Sequence, residues 1–305
     1  MKYCIIGAGG TGGCIAAYMS KAGKDVTVIA RGAHLAKMQE SGICLVRPNM
    51  EDEMIPVRAM DMEHYEETPD IIFVCVKGYS LADTVPFIKR VAGKDTIVIP
   101  ILNIYGTGGK LQKELPELLV TDGCIYVASQ IREPGTIQMN GTIFRIVYGV
   151  REPEQLRREL FLVKQDLEES GIEAILSDQI RRDALQKFSY VSPMAAAGLY
   201  YDAAAERFQV TGDERDTVVA LMKEIDALAV AMGVPFQVDI VRNNLAILDA
   251  LAGSATTSMQ RDVAAGKDSE IDGLIFEVVR LGREYHVPTP MYEMIAKKVG
   301  MKEES

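Results

Sequence analysis

The fold of this chain is decided by the stretch KYCIIGAGGTGGCIAAYMSKAGKDVTVIAR, which covers residues 2–31. Residues 3–6 form a short apolar run of the kind that makes a buried parallel strand. The run ends at Gly7, and Gly7, Gly9 and Gly12 then have the spacing G-x-G-x-x-G. In such a strand–turn–helix the first glycine permits the tight turn, the second lets a pyrophosphate approach the backbone, and the third lets the helix pack on the strand. The stretch therefore predicts a dinucleotide-binding βαβ unit, with its second strand at residues 26–29.

The glycine-rich turn is the predicted cofactor site. The first N–H groups of a helix have no partner within it, so we expect those after the turn to face the phosphates. One alternative is a turn that binds no ligand, and another is a secretory or membrane segment, since residues 3–20 carry no charge. Five glycines in those residues and the lack of a cleavage-site pattern argue against the second alternative. The predicted cofactor-binding residues of the turn are Gly7, Ala8, Gly9, Gly10, Thr11 and Gly12.

The end of the second strand predicts which nicotinamide cofactor binds. Sites that prefer NAD usually place Asp or Glu there, where the carboxylate accepts from the ribose 2′-hydroxyl. This chain has Ala30-Arg31 instead. A carboxylate would repel a 2′-phosphate, whereas a guanidinium can bind one through two hydrogen bonds. The pattern favours NADP(H), with Arg31 as a cofactor-binding residue. The alternative is an ordinary solvated arginine.

Composition restricts the class of protein. The 305 residues suffice for two domains, and the net charge of −10 argues against a nucleic-acid partner. Five cysteines without a C-x-x-C pair, and only three histidines, predict no metal site. Free cysteines and the lack of a targeting signal predict a cytoplasmic protein without a membrane partner.

The order of predicted elements indicates an α/β fold. Further buried strands at residues 70–77 and 96–102 end at Lys77 and Asn103, where open α/β sheets bind ligands. A loop lysine and a turn-forming asparagine are the alternatives. Asn140-Gly141 between two β-like runs predicts a type I′ hairpin. Nearly everything beyond residue 178 has helical periodicity. We therefore predict a Rossmann-type, doubly wound, mostly parallel sheet in residues 1–176 and an all-α domain in residues 177–305.

Two residues of the helical half attract attention. Lys187 stands at the polar edge of a helix whose residues 188–201 carry no charge. A lysine in that position usually extends its ammonium group to solvent, which is the alternative to a catalytic role. Glu270 lies between Ser269 and Asp272, which resemble a helix capping box, so a role in the first helical turn is its alternative.

Taken together, these residues resemble the ketopantoate reductase (2-dehydropantoate 2-reductase) family over nearly the whole chain. The resemblance depends on the order and spacing of several motifs more than on any one of them. The motifs are GAGGTGG at residues 7–13, Arg31, Val76-Lys77, Asn103, Lys187 in Gln-Lys-Phe, TSMQRD at residues 257–262 and EIDG at residues 270–273.

The resemblance implies the NADPH-dependent reduction of a 2-oxo acid between a Rossmann domain and a helical domain. It implies that Lys187 is the general acid and that Glu270, also catalytic, contacts the cofactor or the substrate hydroxyl. Lys77 and Asn103 would bind cofactor, and Asn103, Lys187 and Ser258 would bind substrate. The implied substrate is 2-dehydropantoate, in pantothenate biosynthesis, and a homodimer is an assembly left open.

Several positions depart from the family pattern. The family commonly has Asn-Gly where this chain has Asn103-Ile104. It often has asparagines where a gapless alignment places Val191, Ala195 and Ala255. These departures leave the reaction type intact and the natural substrate open. The alternatives are a reductase of another branched 2-oxo acid and an NADPH-binding sensor without turnover, although a sensor needs neither Lys187 nor Glu270.

Overall fold

A computed structural model describes residues 1–301 as two compact units. The first unit contains Met1–Leu102 and Gly106–Ile180. The second contains Asn103–Tyr105 and the chain from Arg181 onwards. A domain boundary between residues 176 and 177 stays a prediction.

The first unit contains eleven strands, five α-helices and three short 3-10 helices. The strands are β1 Lys2–Ile6, β2 Asp25–Ile29, β3 Ile43–Val46, β4 Glu53–Ile55, β5 Arg58–Met60, β6 Ile71–Val74, β7 Ile97–Pro100, β8 Leu119–Val120, β9 Asp122–Glu133, β10 Thr136–Gly149 and β11 Glu173–Leu176. The α-helices are α1 Gly10–Lys21, α2 Gly32–Ser41, α3 Val85–Val91, α4 Thr107–Glu114 and α5 Arg158–Glu169.

Six strands form a fully parallel sheet in the order β5-β2-β1-β6-β7-β8. Numbered along the chain within this sheet, the order is 3-2-1-4-5-6, which is that of doubly wound dinucleotide-binding sheets. Alternate residues of β1 pack into different apolar clusters: Tyr3 and Ile5 into one, Cys4 and Ile6 into the other. Burial on both faces explains why the strand is apolar without alternation. The predicted Rossmann-type fold is confirmed.

The remaining strands form a second, mixed sheet in the order β11-β10-β3-β4, with β9 antiparallel to β10. Here the hairpin predicted at Asn140-Gly141 is wrong. Both residues lie inside β10, at a bulge where its register with β9 shifts between Met139 and Phe144. The chain instead turns at Gly135, which has φ +80°.

The second unit is helical, as predicted. Its helices are α6 Ile180–Tyr201, α7 Ala205–Gln209, α8 Asp213–Ala231, α9 Ile240–Asp249, α10 Ser258–Ala264, a π-helical turn Asp272–Phe276, α11 Glu277–Glu284 and α12 Pro290–Lys298. Between residues 1 and 301, no helix has both the length and the apolar composition needed to cross a bilayer.

A proline inside α6 shapes the helix that carries Lys187. Pro193 has no N–H, so the carbonyl oxygen of Ser189 loses its usual helical partner. The side-chain amide of Asn244 on α9, itself buried, donates to that oxygen at 3.0 Å. The buried polar group is thereby satisfied, and the middle of α6 is fixed to α9.

Candidate active site

The glycine-rich turn joins β1 to α1 as the sequence predicts. Gly7 has φ +99°, a backbone conformation that favours glycine. A Cβ atom on Gly12 would overlap the carbonyl oxygen of Gly7 and lie 2.9 Å from Cβ of Cys75 at the end of β6. A Cβ atom on Gly9, by contrast, would have no neighbour within 4 Å. The turn is therefore closed towards the protein at Gly7 and Gly12 and open at Gly9.

The start of α1 suits a negatively charged group. Its first helical bond runs from the N–H of Gly13 to the carbonyl oxygen of Gly9, which leaves the N–H groups of Gly10, Thr11 and Gly12 outside the helical ladder. Among the described residues no side chain caps α1, and its first turn has no acidic residue. Free N–H groups and the helix dipole favour a phosphate at this position. The residues present therefore fit the pyrophosphate of a dinucleotide.

A histidine that sequence reasoning missed supports this turn. His34, in the first turn of α2, bonds through Nε2 to the carbonyl oxygen of Ala8 at 2.8 Å. Its Nδ1 accepts the N–H of Gly135 at 2.9 Å, so the ring proton is on Nε2 and is donated to Ala8. The only sequence signal was the place of His34 three residues after Arg31. His34 thus joins the glycine turn to the β9–β10 hairpin.

The cysteine beside the turn has a packing role. Cys75 directly follows Val74, the last residue of β6, and its side chain is buried. Burial raises the pKa of its thiol well above the ordinary value, so the group is a neutral thiol at neutral pH. Such a thiol is inert as a nucleophile.

Arg31 and Lys77 follow the carboxyl ends of β2 and β6. Arg31 is exposed, with extended backbone, just before α2. Within residues 1–301 its guanidinium has no hydrogen-bond or ion-pair partner, and its backbone oxygen accepts from Leu35. Lys77 is half-buried and precedes a short turn, Gly78–Ser80. Because β2, β1 and β6 are parallel neighbours, both residues follow strands that end at the same edge of the sheet as Gly7.

Lys187 and Asn103 come together in the second unit, although 84 residues separate them in sequence. Nζ of half-buried Lys187 donates to Oδ1 of Asn103 at 2.7 Å. Ile104 and Tyr105, which follow Asn103, also pack in the second unit. Ile104 is buried, and the ring of Tyr105 lies 6.1 Å from that of Phe188, the neighbour of Lys187.

The other two predicted residues also lie in the second unit. Glu270 is only 4% exposed, and its backbone oxygen accepts from the N–H of Leu274 in the π-helical turn. Ser258 is the first residue of α10. The structure has a capping box at Thr257 and Gln260, at the start of α10. Glu270 directly precedes the helical residue Ile271, so the capping alternative for Glu270 stands beside the catalytic one.

The three positions that depart from the family pattern lie in different surroundings. Val191 and Ala195 stand four and eight residues after Lys187 on α6, along the same side of the helix. Ala195 is buried in the core of the unit, whereas Val191 and Ala255 are half-buried. Their side chains carry no hydrogen-bonding group.

Comparison with known proteins then assigns the family. The profile described as Ketopantoate reductase PanE/ApbA matches residues 3–153, and that of its C-terminal region matches residues 179–303. The chain belongs to the ketopantoate reductase family. This family consists of oxidoreductases that act on a 2-oxo acid with a nicotinamide cofactor, in agreement with the glycine turn of the first unit.

Individual ketopantoate reductases are similar over almost their full length. The 2-dehydropantoate 2-reductase of Mesorhizobium japonicum is 28% identical over 97% of this chain and 95% of its own. A PanE/ApbA family ketopantoate reductase from Ralstonia eutropha has a TM-score of 0.89 at 24% identity, with 98% of this chain and 97% of that one covered. A D-mandelate dehydrogenase, solved with NADH and anilino(oxo)acetate, has a TM-score of 0.86 at 20% identity, with 98% and 97% covered. At these identities the two structures bear on the fold alone.

Proposed function

We propose that this chain is an NADPH-dependent reductase that converts a 2-oxo acid into a 2-hydroxy acid, with 2-dehydropantoate as the first candidate substrate. The observation that carries the proposal is the hydrogen bond from Lys187 to Asn103. A lysine that only extends to solvent needs no such partner. Here the ammonium group is oriented by an amide from another part of the chain.

Different residues are proposed to bind different parts of the dinucleotide. The turn of Gly7, Ala8, Gly9, Gly10, Thr11 and Gly12 binds the pyrophosphate, and Arg31 binds the 2′-phosphate of NADPH. Arg31 suits this role because it is exposed and has no partner among residues 1–301. Lys77, Asn103 and Glu270 complete the proposed cofactor contacts.

NADPH, held by these residues, would supply the hydride that reduces the ketone carbon of the substrate. As the new C–H bond forms, the carbonyl π bond breaks and negative charge grows on its oxygen. Lys187 stabilises that charge and donates a proton from Nζ, which gives the hydroxyl group. Asn103 holds Nζ in place, Glu270 orients the substrate hydroxyl and Ser258 hydrogen-bonds the carboxylate. Lys187 then regains its proton from water.

Two alternatives remain as proposals. The first is a reductase for another 2-oxo acid, which the apolar side chains of Val191, Ala195 and Ala255 support. The second is an NADPH-binding sensor without turnover. A homodimer and a cytoplasmic location stay predictions, although a ketopantoate reductase of similar fold from Staphylococcus aureus is described as dimeric.

The test is NADPH oxidation, followed with a panel of 2-oxo acids that includes 2-dehydropantoate and 2-oxoisovalerate. Turnover that requires both NADPH and a 2-oxo acid supports the proposal. NADPH binding without turnover of any member of the panel favours the sensor. A protein that binds neither NADPH nor NADH contradicts both.

A further inference from the structure

The side chain of Ile104 fills the space beside Gly273 in the π-helical turn, a space that we call the Gly273 notch. A Cβ atom on Gly273 would overlap Cδ1 of Ile104 and lie 2.7 Å from its Cγ1 and 3.0 Å from its Cγ2. Three atoms of one side chain thus occupy the space that any larger residue at position 273 would need. Ile104 is 8% exposed and belongs to the apolar core of the second unit.

The two partners in this contact are each close in sequence to a proposed active-site residue. Ile104 follows Asn103, the acceptor of the Lys187 hydrogen bond. Gly273 lies three residues after Glu270, whose carbonyl oxygen accepts from Leu274 in the same turn. The carbonyl oxygen of Leu274 in turn accepts from Ser192 on α6, at 2.5 Å. The segment of Asn103, the turn of Glu270 and the helix of Lys187 are therefore packed and hydrogen-bonded together.

We propose that Ile104 is a positioning residue, whose packing in the Gly273 notch holds Asn103 against Lys187 and so fixes the direction of the lysine Nζ–H groups. The inference rests on the proposed role of Lys187 as the acid. Close packing makes the contact sensitive to a single methyl group, because atoms in a protein interior have little room to move. Misplacement of a reacting group by about 1 Å can lower a rate by about 10²-fold.

The test compares Gly273→Ala, Ile104→Ala and the double variant, with Gly109→Ala as a control. A Cβ atom on Gly109, which lies in α4, would meet nothing within 4 Å. We expect Gly273→Ala to lower kcat by about 10- to 100-fold and Ile104→Ala by about tenfold, with the KM for NADPH changed less than about threefold. In the Ile104→Ala background the added methyl group has free space, so Gly273→Ala should lower kcat no further.

Non-additivity decides the outcome. If the two losses multiply in the double variant, or if either single variant keeps the wild-type kcat, the inference is overturned. If Gly273→Ala does not fold, Ile104→Ala alone decides, because an unchanged kcat in that folded variant also overturns it.

A second measurement does not depend on turnover. The ¹³Cε resonance of Lys187, assigned by its loss in Lys187→Arg, should move in Gly273→Ala, and should be the same in Ile104→Ala and the double variant. A wild-type protein that reduces none of the 2-oxo acids contradicts the proposed function, and this resonance then tests the positioning by itself. A resonance that stays unmoved in Gly273→Ala overturns the positioning.

Discussion

Nζ of Lys187 donates a 2.7 Å hydrogen bond to Oδ1 of Asn103. An amide oxygen orients the ammonium group without adding a negative charge that would hold the proton more tightly. Such a partner suits the general-acid role that we propose for Lys187. Because the two partners lie 84 residues apart, the hydrogen bond can be removed by a substitution in either of two separate parts of the chain.

Loss of the lysine should affect the chemical step. A positioned general acid contributes about 10²–10⁴-fold, or roughly 3–5 kcal/mol of barrier. We expect Lys187→Ala to lower kcat by that factor, whereas NADPH binding measured by titration stays close to wild type. Lys223→Ala, which removes an exposed lysine of α8, is the control. A fall in kcat of less than about tenfold would support the simple solvated lysine.

Cofactor preference should depend on Arg31. A hydrogen bond to a charged group contributes about 1.5–3 kcal/mol, which is roughly ten- to 150-fold in affinity. We expect Arg31→Ala to raise the Kd of NADPH by that factor and to leave the Kd of NADH nearly unchanged.

The control for this prediction is Lys94→Ala. Lys94 is an exposed cation that precedes β7 and so lies at the opposite, amino-terminal edge of the same sheet. Equal losses for NADPH and NADH in Arg31→Ala would mean that Arg31 does not bind the 2′-phosphate.

Selectivity for the substrate hydroxyl should be weak. A site that hydrogen-bonds a hydroxyl can reject the analogue without it by about 10⁴–10⁵, whereas an apolar pocket discriminates by about 10². Val191, Ala195 and Ala255 offer no such bond. We therefore expect 2-oxoisovalerate to be reduced with a kcat/KM comparable to that of 2-dehydropantoate under saturating NADPH. A preference for 2-dehydropantoate above about 10³ would mean that other residues recognise the hydroxyl.

Stability should depend on pH through Asp166, a carboxylate to which no catalytic or binding role is assigned. Asp166 on α5 accepts from Tyr3 at 2.5 Å and from Lys24 at 2.8 Å. Burial alone would raise its pKa, but the hydrogen bonds from Lys24 and Tyr3 outweigh burial and hold the pKa below its ordinary value. A lowered pKa in the folded state stabilises the protein at neutral pH, and this contribution is lost as the pH falls through that pKa.

Asp166→Asn should therefore lower the free energy of unfolding by about 1–3 kcal/mol at pH 7. The difference from wild type should stay constant down to about pH 5 and shrink below about pH 4, where carboxylates become protonated. Urea denaturation at several pH values measures it, with exposed Asp95→Asn as the control. If the difference in the free energy of unfolding is as large at acid pH as at pH 7, the ionised carboxylate of Asp166 is not its cause.

The sequence was most informative where structure is local. The strand, turn and first helix lie within residues 2–21, so spacing alone predicts Gly7 at the tight turn and Gly12 at the close contact. Strand β1 is apolar at every buried position because both faces are covered, and that pattern also lies within a few residues.

Long-range pairing accounts for the error at Asn140-Gly141. The dipeptide favours a tight turn by itself. In the folded protein, β10 pairs with β3 before this point, at residues 136–138, and with β11 after it, at residues 145–148. These two neighbours keep the strand extended, and the extra residues form a bulge instead of a turn.

In the candidate site, too, the contacts between residues distant in sequence were the ones that the sequence did not predict. Neither the spacing of Asn103 and Lys187 nor any local pattern indicates that they touch. The end of a strand pointed to Asn103 as a ligand-site residue, whereas the proposed acid role of Lys187 came from the family resemblance alone. His34 was missed because its two partners, Ala8 and Gly135, lie 26 and 101 residues away in the chain.

The unequal burial of the thiols makes the protein convenient to label. Cys4, Cys14, Cys75 and Cys124 are buried, and burial raises the pKa of Cys4 and of Cys14 to about 12. Cys44 on β3 is partly exposed, and its N–H bonds to the carbonyl oxygen of Gly135. A maleimide dye should therefore react with the native protein at Cys44 alone, since thiolates are the reactive form. Three successive hydrogen bonds, through Gly135 and His34, connect Cys44 to Ala8, so the fluorescence of the dye should respond when a dinucleotide occupies the glycine turn.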